Sequence, residues 1–361
     1  MHWLLIIFIL LVKISSAQDL VVIADKIIDE NNIPEMAFAV VVKDSILIQK
    51  VIGHHKITEK NEISTAELDD YFHLGSNTKA ITGFIAAYLV EKRKIRWTTR
   101  LFDLLPELKK NSNEKYGDIS LGDLLSHRAY IQPFTSGWEY RKLPKFTGNK
   151  QEQRIQFAEL VLTFPPVENR NIYNYSNAGY SIAAVMLEKA SGKTWEELVY
   201  EILKLKLQLD FQFGWPNRNA ENQPYGHWKE KDDLVPVSAG TEYDLSLAEP
   251  AGDISMNIRN YAKFIQLNIE GLSGDNNLLR SETYRYIHKE KKEYSIGWVN
   301  YERNNSEISE HAGSDGTFFS YVQIDRQNLI GYIVFVNSGT EGAQKGVFEM
   351  IEEMKKYVEE M

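Results

Sequence analysis

The hydrophobic pattern changes period along the chain. Asp19 to Glu30 carries apolar residues at helical spacing and predicts a first helix. "MAFAVVV" from Met36 and "ILIQKVIG" from Ile46 read as strands around Lys43-Asp44-Ser45, which predicts a hairpin. A strongly apolar helix follows, opened by Ser76 in "HLGSNTKAITGFIAAYLVEKRKI". From about Leu101 to Glu270, helical pattern is broken by polar loops. "YSNAGYSIAAVMLEKASG" is an amphipathic helix ending at Gly192, and "EPAGDISMNIRNYAKFIQLNIEG" closes near Gly271. Beyond Glu293 the period turns to two. "YSIGWVNYE", "TFFSYVQID" and "LIGYIVFVN" predict three strands, and "GVFEMIEEMKKYVEEM" a last helix.

This order predicts an α/β (α+β) fold: an antiparallel sheet flanked by helices, plus an all-helical lobe. Two strands alone make no stable sheet, so the first hairpin is expected to join the last three strands. About 18–100 and 272–361 then form an α/β lobe, and about 101–271 the helical lobe. A site between lobes is the expectation.

The first residues, "MHWLLIIFILLVKISSAQDL", are laid out differently. Trp3 to Val12 is an apolar run followed by the small residues Ser15, Ser16 and Ala17. That is the layout of a cleaved signal peptide over 1–17, which implies a secreted or periplasmic protein. An uncleaved anchor is the alternative; no later segment has transmembrane character, so no stable span is expected after cleavage. The apolar fraction of 43% and charged fraction of 25% fit a globular domain. A net charge of −9 without any Lys/Arg block argues against a nucleic-acid partner. The absence of cysteine removes disulfides and thiolate metal sites. Nothing in the pattern speaks to oligomeric state.

The chemistry starts with a misplaced charge. Lys79 lies on the apolar face of the Ser76 helix, three residues from the hydroxyl, and so on its side of the helix. Ser76 would sit at the positive helix end, where free N–H groups hold a developing anion. A lysine packed in apolar surroundings loses solvation and its pKa falls, so the amine can take the hydroxyl proton. An N-cap serine with a snorkelling lysine is the bland alternative. A second S-x-x-K, Ser112 to Lys115 in "NSNEKYGD", lies in a polar stretch and reads as solvated surface.

Two further elements change the weighing. "IYNYSNAGY" holds the only Y-x-N, Tyr175 and Asn177, just before a helix. Tyr175 could ionise and share a proton with a nearby lysine, and Asn177 could position that lysine or a substrate amide. In "HAGSDGTFFSYVQID", His311-Ala312-Gly313 sits just ahead of a strand. Gly313 would let a substrate backbone approach, and the Ser314 N–H would be a second oxyanion donor beside that of Ser76. The bland readings are a cap beside a core tyrosine and a turn histidine. His54 and His55 point to opposite faces of a strand and cannot chelate one metal together. No two-His or His–carboxylate cluster stands out, so no metal and no cofactor is expected.

In this order the three elements resemble the serine beta-lactamase and penicillin-binding protein superfamily. The likeness is strongest to the branch of class C beta-lactamases, D-alanyl-D-alanine carboxypeptidases and related esterases. "LGDLLSHRAYI", "YNYSNAGYSIAAVMLEKASGKTWEEL", "AGDISMNIRNYAKFI", "YSIGWV" and "IVFVNS" are similar to further family segments, covering about Asp19 to Met361. The resemblance implies that Ser76 is the acylated nucleophile and Lys79 its proton partner. Tyr175 would be the base in acylation and would activate water in deacylation. Asn177 would orient Lys79 and the substrate, and His311 would stand where many members have the lysine of K-T-G. Three departures follow: His311 for that cation, Ala129-Tyr130 for Ser-Gly after the family's threonine position, and Asp253 for a second glycine. They weaken the expected grip on a substrate carboxylate. The resulting expectation is a secreted serine hydrolase of esterase or peptidase type, acting on a small-molecule or peptide-like acyl substrate. A D-alanyl-D-alanine carboxypeptidase or class C-type beta-lactamase, and a non-catalytic binding module, are the alternatives.

Overall fold

Strand β1 (Glu35–Val42) is buried almost throughout, and its two faces serve two cores. Ala37, Ala39 and Val41 face one apolar cluster; Met36, Phe38 and Val40 face the other. Period-two alternation with both faces apolar is what a central strand needs. The computed structural model describes residues 18–59, 65–168, 171–241, 247–303 and 306–361. The expected leader lies outside the described residues.

The hairpin forms as expected: β1 pairs antiparallel with β2 (Ser45–Gly53). β3 is Tyr71–His73, β4 Gln212–Phe213, β5 His227–Glu230, β6 Asp233–Pro236 and β7 Ile254–Asn257. The C-terminal strands are β8 (Glu293–Tyr294), β9 (Val299–Arg303), β10 (Ser306–Ser314), β11 (Phe319–Asp325) and β12 (Ile330–Val336). Seven strands run in the order β2-β1-β12-β11-β10-β9-β8, and the paired strands are antiparallel. A small sheet, β3-β7-β4, carries the segment that leads into Ser76.

Two elements depart from the sequence expectation. "SEISEHAGS" forms a full strand, β10, so His311, Ala312 and Gly313 lie in a strand rather than ahead of one. Its polar composition hides it; Glu310 instead accepts from the hydroxyls of Tyr301 and Tyr321 on the flanking strands. The helix Ile258–Ser273 falls within the range assigned to the helical lobe, yet it packs on the large sheet. Gly331 on β12 admits Ile265 and Ile269, and Gln266 donates to the Lys43 carbonyl in the hairpin turn.

Helix α1 covers residues 18–30 and α2 is Thr78–Glu91. Helix α3 (Lys150–Val161) and α4 (Asn177–Ser191) belong to the helical part, α5 is Ile258–Ser273 and α6 Glu341–Glu359. α1 and α6 cover one sheet face. Among the described residues no helix is long and apolar enough to cross a membrane. α2 is buried on nearly every side, which explains its unbroken apolar run.

One buried cation braces the helical part. Arg154 of α3 is 0% exposed and meets Glu188 of α4 at 2.7 Å, Glu196 at 3.0 Å and Glu249 at 3.4 Å. Glu249 opens the short turn that presents Ala251. Arg154→Ala would leave Glu188 without its counter-charge in the interior, and Glu249 with Lys150 alone, and should cost about 3–5 kcal/mol. Denaturant unfolding checks this; a loss below about 1 kcal/mol would show that the knot contributes little.

Candidate active site

Ser76 lies in a 3-10 turn, Gly75–Asn77, that runs directly into α2. It is not an N-cap: the turn has no side-chain capping bond. The Ser76 hydroxyl instead meets Lys79, whose Nζ is 3.0 Å from Oγ. The same Nζ donates to Asn177 Oδ1 at 2.7 Å and to the Ala251 carbonyl at 2.9 Å. Asn177 starts α4, and its Nδ2 donates to the Phe134 carbonyl at 2.9 Å, which turns Oδ1 toward the amine. Ser176 caps that helix by accepting from the Gly179 N–H.

Lys79 is fully buried, and no carboxylate pairs with it among the described residues. Burial alone pushes its pKa well below the ordinary value. Its three polar neighbours suit a neutral amine: two N–H donors for Asn177 and Ala251, and a lone pair for the Ser76 hydroxyl. The Tyr175 ring centroid is 4.7 Å from Nζ. Burial pushes the Tyr175 phenol up, and its contact with Ser76 offsets only part of that push. The expectation that Tyr175 ionises therefore meets an opposing field: burial favours neutral amine beside neutral phenol.

His311 is brought close but not into the cleft. Its Nδ1 lies 2.7 Å from the Ala312 carbonyl and its Nε2 3.0 Å from the Tyr294 hydroxyl. The carbonyl requires a proton on Nδ1, so Nε2 accepts. Burial first, and Lys79 second, push its pKa down to about 3. It backs onto the Tyr175 ring, centroids 6.2 Å apart, and offers no charge to a ligand.

Gly313 serves the protein's own backbone rather than a substrate's. A Cβ there would lie 2.0 Å from the Leu74 carbonyl and 2.8 Å from Ser76 N. Gly75 has φ of 49° and approaches Ser314 N equally closely; a Cβ there would lie 2.4 Å away. The main-chain N of Ser314 thus lies against the Ser76 turn. Ser76, Asn177 and Ser314 all line one cleft of about 1140 Å³, with Tyr140, Arg218 and Asp315 further along.

Two neighbours, His127 and Arg128, were not singled out from the sequence; Tyr130 and Asp253 were. His127 is 2% exposed and packs tilted against both Tyr175 and Tyr294, ring centroids 4.4 Å apart in each case. The only hint of it was the "LLSH" segment. Arg128 holds the Tyr294 and Lys292 carbonyls, fixing this wall. Tyr130 takes a positive φ of 54° and donates to the Asn171 carbonyl, so the Ala129-Tyr130 change shapes this loop. Asp253 faces inward: its Oδ1 is 3.5 Å from His73, whose other nitrogen is 3.5 Å from Asp315. Burial opposes charge on His73, but Asp315 and Asp253 outweigh it and raise its pKa. Ser112 and Lys115 stay apart, bound to the Leu108 carbonyl and to Glu168.

A buried amine beside a serine hydroxyl, on a two-faced antiparallel sheet, defines a serine-hydrolase fold of the beta-lactamase and penicillin-binding protein type. A family model described as Beta-lactamase matches residues 22–349, and the chain belongs to that family. Penicillin-binding protein 4 of Amycolatopsis lactamdurans is 22% identical, over 87% of this chain and 84% of that one. The D-amino acid amidase structure from Ochrobactrum anthropi SV3 superposes with a TM-score of 0.73 at 17% identity, covering 93% and 98% of the two chains. A class C beta-lactamase structure from Rhodobacter sphaeroides gives 0.72 at 16% identity, covering 94% and 99%.

Gly313→Ala should push the Ser76 turn out of place, since the colliding atoms are backbone. Thermal unfolding should show a loss of about 1–3 kcal/mol. An unchanged Tm would mean that the strand yields without cost.

Proposed function

We propose that the protein is a serine hydrolase that forms an acyl-enzyme at Ser76 and hydrolyses an ester or amide. The observation that carries this reading is the uncompensated burial of Lys79 at 3.0 Å from Ser76 Oγ. The neutral amine accepts the hydroxyl proton as Oγ attacks the substrate carbonyl. The N–H groups of Ser76 and Ser314 receive the developing oxyanion. The Tyr175 phenol, neutral and beside Ser76, passes a proton to the leaving group. In deacylation a water loses a proton to the same Lys79–Tyr175 pair, and Ser76 regains its hydroxyl. Asn177 holds the amine in line throughout.

His311 supplies no cation, which favours uncharged esters and amides over carboxylate-bearing beta-lactams. A second reading rests on Arg218. It lines the same cleft, held by the Ala239 and Thr241 carbonyls and stacked 4.5 Å from the Trp215 ring. A guanidinium there could grip a carboxylate, as a D-alanyl-D-alanine carboxypeptidase or a class C-type beta-lactamase requires. The family's range, from the named beta-lactamase to the named D-amino acid amidase, accommodates either. The apolar leader supports export as the setting.

The test is mass spectrometry after incubation with a p-nitrophenyl ester, a D-amino acid amide, a cephalosporin and a fluorophosphonate. An adduct on Ser76 is expected, with faster turnover of the neutral substrates. Ser76→Ala should abolish turnover and labelling, and Ser112→Ala should change neither; a labelled Ser76→Ala protein rejects the nucleophile. Lys79→Ala and Tyr175→Phe should each cost roughly 100- to 10,000-fold in kcat. Arg218→Ala should raise KM only for carboxylate-bearing substrates if the second reading holds.

The lowered pKa of Lys79 sets the sign of the pH dependence. Activity needs the free amine, so kcat/KM should rise with pH through the Lys79 pKa, on a limb well below that of an ordinary lysine. His311, already neutral above about 3, should contribute no limb between pH 5 and 9. A rise appearing only near pH 10 would show Lys79 resting as the ammonium.

A further inference from the structure

The sequence offered no His–carboxylate cluster, yet the fold assembles one away from the cleft. Glu35 begins β1, His55 follows β2, and Asp70 immediately precedes β3. They are 0%, 5% and 2% exposed. One ligand atom from each lies within 4.8 Å of the other two. Both Glu35 oxygens and His55 Nε2 are buried and have no hydrogen-bond partner among the described residues. His55 Nε2 is 3.1 Å from Asp70 Oδ2 without hydrogen-bond alignment. Ligands on one zinc at about 2.0–2.2 Å each sit roughly 3 Å or a little more apart, without pointing at one another.

Unpaired buried carboxylate oxygens and an unpaired imidazole nitrogen are costly, and a cation between them removes the cost for all three. We propose that Glu35, His55 and Asp70 bind a divalent transition-metal ion of the zinc type. Two carboxylates neutralise a doubly charged ion inside the protein, and the imidazole selects a transition metal over calcium or magnesium. The main chain that carries the donors is itself pinned. Asn337 accepts from the Glu35 N–H at 2.8 Å and donates to the His55 carbonyl at 3.1 Å, and its own carbonyl meets His227 Nδ1 at 2.8 Å. These bonds tie the main chains of Glu35 and His55 together and so hold the two residues in one place.

The ion's effect is on the scaffold. It ties the start of β1, the end of the hairpin and the lead into β3. Asp70 is six residues before Ser76, so the ion anchors the base of the segment that carries the hydroxyl. The inference is independent of the chemistry proposed at Ser76. Without an ion, burial first, then the Asp70 charge, push the Glu35 carboxyl well above the usual range. The rival arrangement is therefore a proton held between the two carboxyls.

The test uses the full chain, purified without chelator, and its metal content by plasma mass spectrometry. EDTA-stripped and desalted protein is then titrated with Zn2+, Mn2+ or Ca2+ while Tm is followed. One transition-metal ion per chain, or a Tm rise with Zn2+ that saturates at one equivalent, is expected. Glu35→Gln and His55→Gln should each weaken Zn2+ binding at least about tenfold while circular dichroism stays native. Should these variants fail to fold, wild-type stoichiometry decides. A stripped protein whose Tm ignores all three ions overturns the proposal, as does a Glu35→Gln variant that binds Zn2+ like wild type. Indifference to cations with a raised Tm in Glu35→Gln identifies the shared proton instead. Binding of Ca2+ alone refutes the ion class.

Discussion

The site depends on one electrostatic constraint: Lys79 is kept from water and given no counter-charge. Its three polar contacts are a hydroxyl, an amide oxygen and a main-chain carbonyl. Each solvates an amine, but none repays the desolvation of an ammonium as a carboxylate would. The contrast within the same chain is Arg154, equally buried but surrounded by three glutamates. That cation is held in its charged form and braces helices. The amine of Lys79 is held toward its neutral form and is left able to accept a proton. Two buried basic side chains thus take opposite roles, decided by whether acidic partners accompany them.

The rest of the site preserves this arrangement. His127 and His311, the basic groups packed near Lys79, are themselves pushed toward neutrality, chiefly by burial. Tyr175, Tyr180 and Tyr294 fill the space around them with rings, keeping the local dielectric low. Acidic groups do occur behind the Ser76 turn, where the buried His73 lies between Asp253 and Asp315. There each charge has a partner. The Asp253 departure therefore acts as a partner for His73.

Much of this was legible because the chemistry is local. Ser76 sits in the 3-10 turn that leads into the helix of Lys79, and Tyr175 and Asn177 flank one helix start, so short spacings encode both pairs. The hairpin and closing strands were legible because β1 and β12 are apolar at nearly every position, as central strands must be, and β11 keeps an apolar majority. β10 was not, since it is polar and Glu310 is held by the hydroxyls of Tyr301 and Tyr321 on the flanking strands rather than by an apolar stripe. The roles of His311 and Gly313 were misjudged for a related reason. Which way a strand residue faces depends on register, and the Leu74 turn that fills the space beside Gly313 is far away in sequence.

The Glu35–His55–Asp70 cluster shows the same limit more sharply. Its members sit at the edges of three different strands, and each alone reads as an unremarkable polar residue. Only the antiparallel register of β1 on β2, pairing Glu35 with Gly53, brings the residue after the next, His55, over the same spot. The segment returning to β3 adds Asp70 before it reaches Ser76. Side chains this far buried normally find partners. Here the unmet Glu35 oxygens and His55 Nε2 converge beside Asp70, so the accounting that singles out Lys79 also singles out this cluster, for which a cation is the proposed partner.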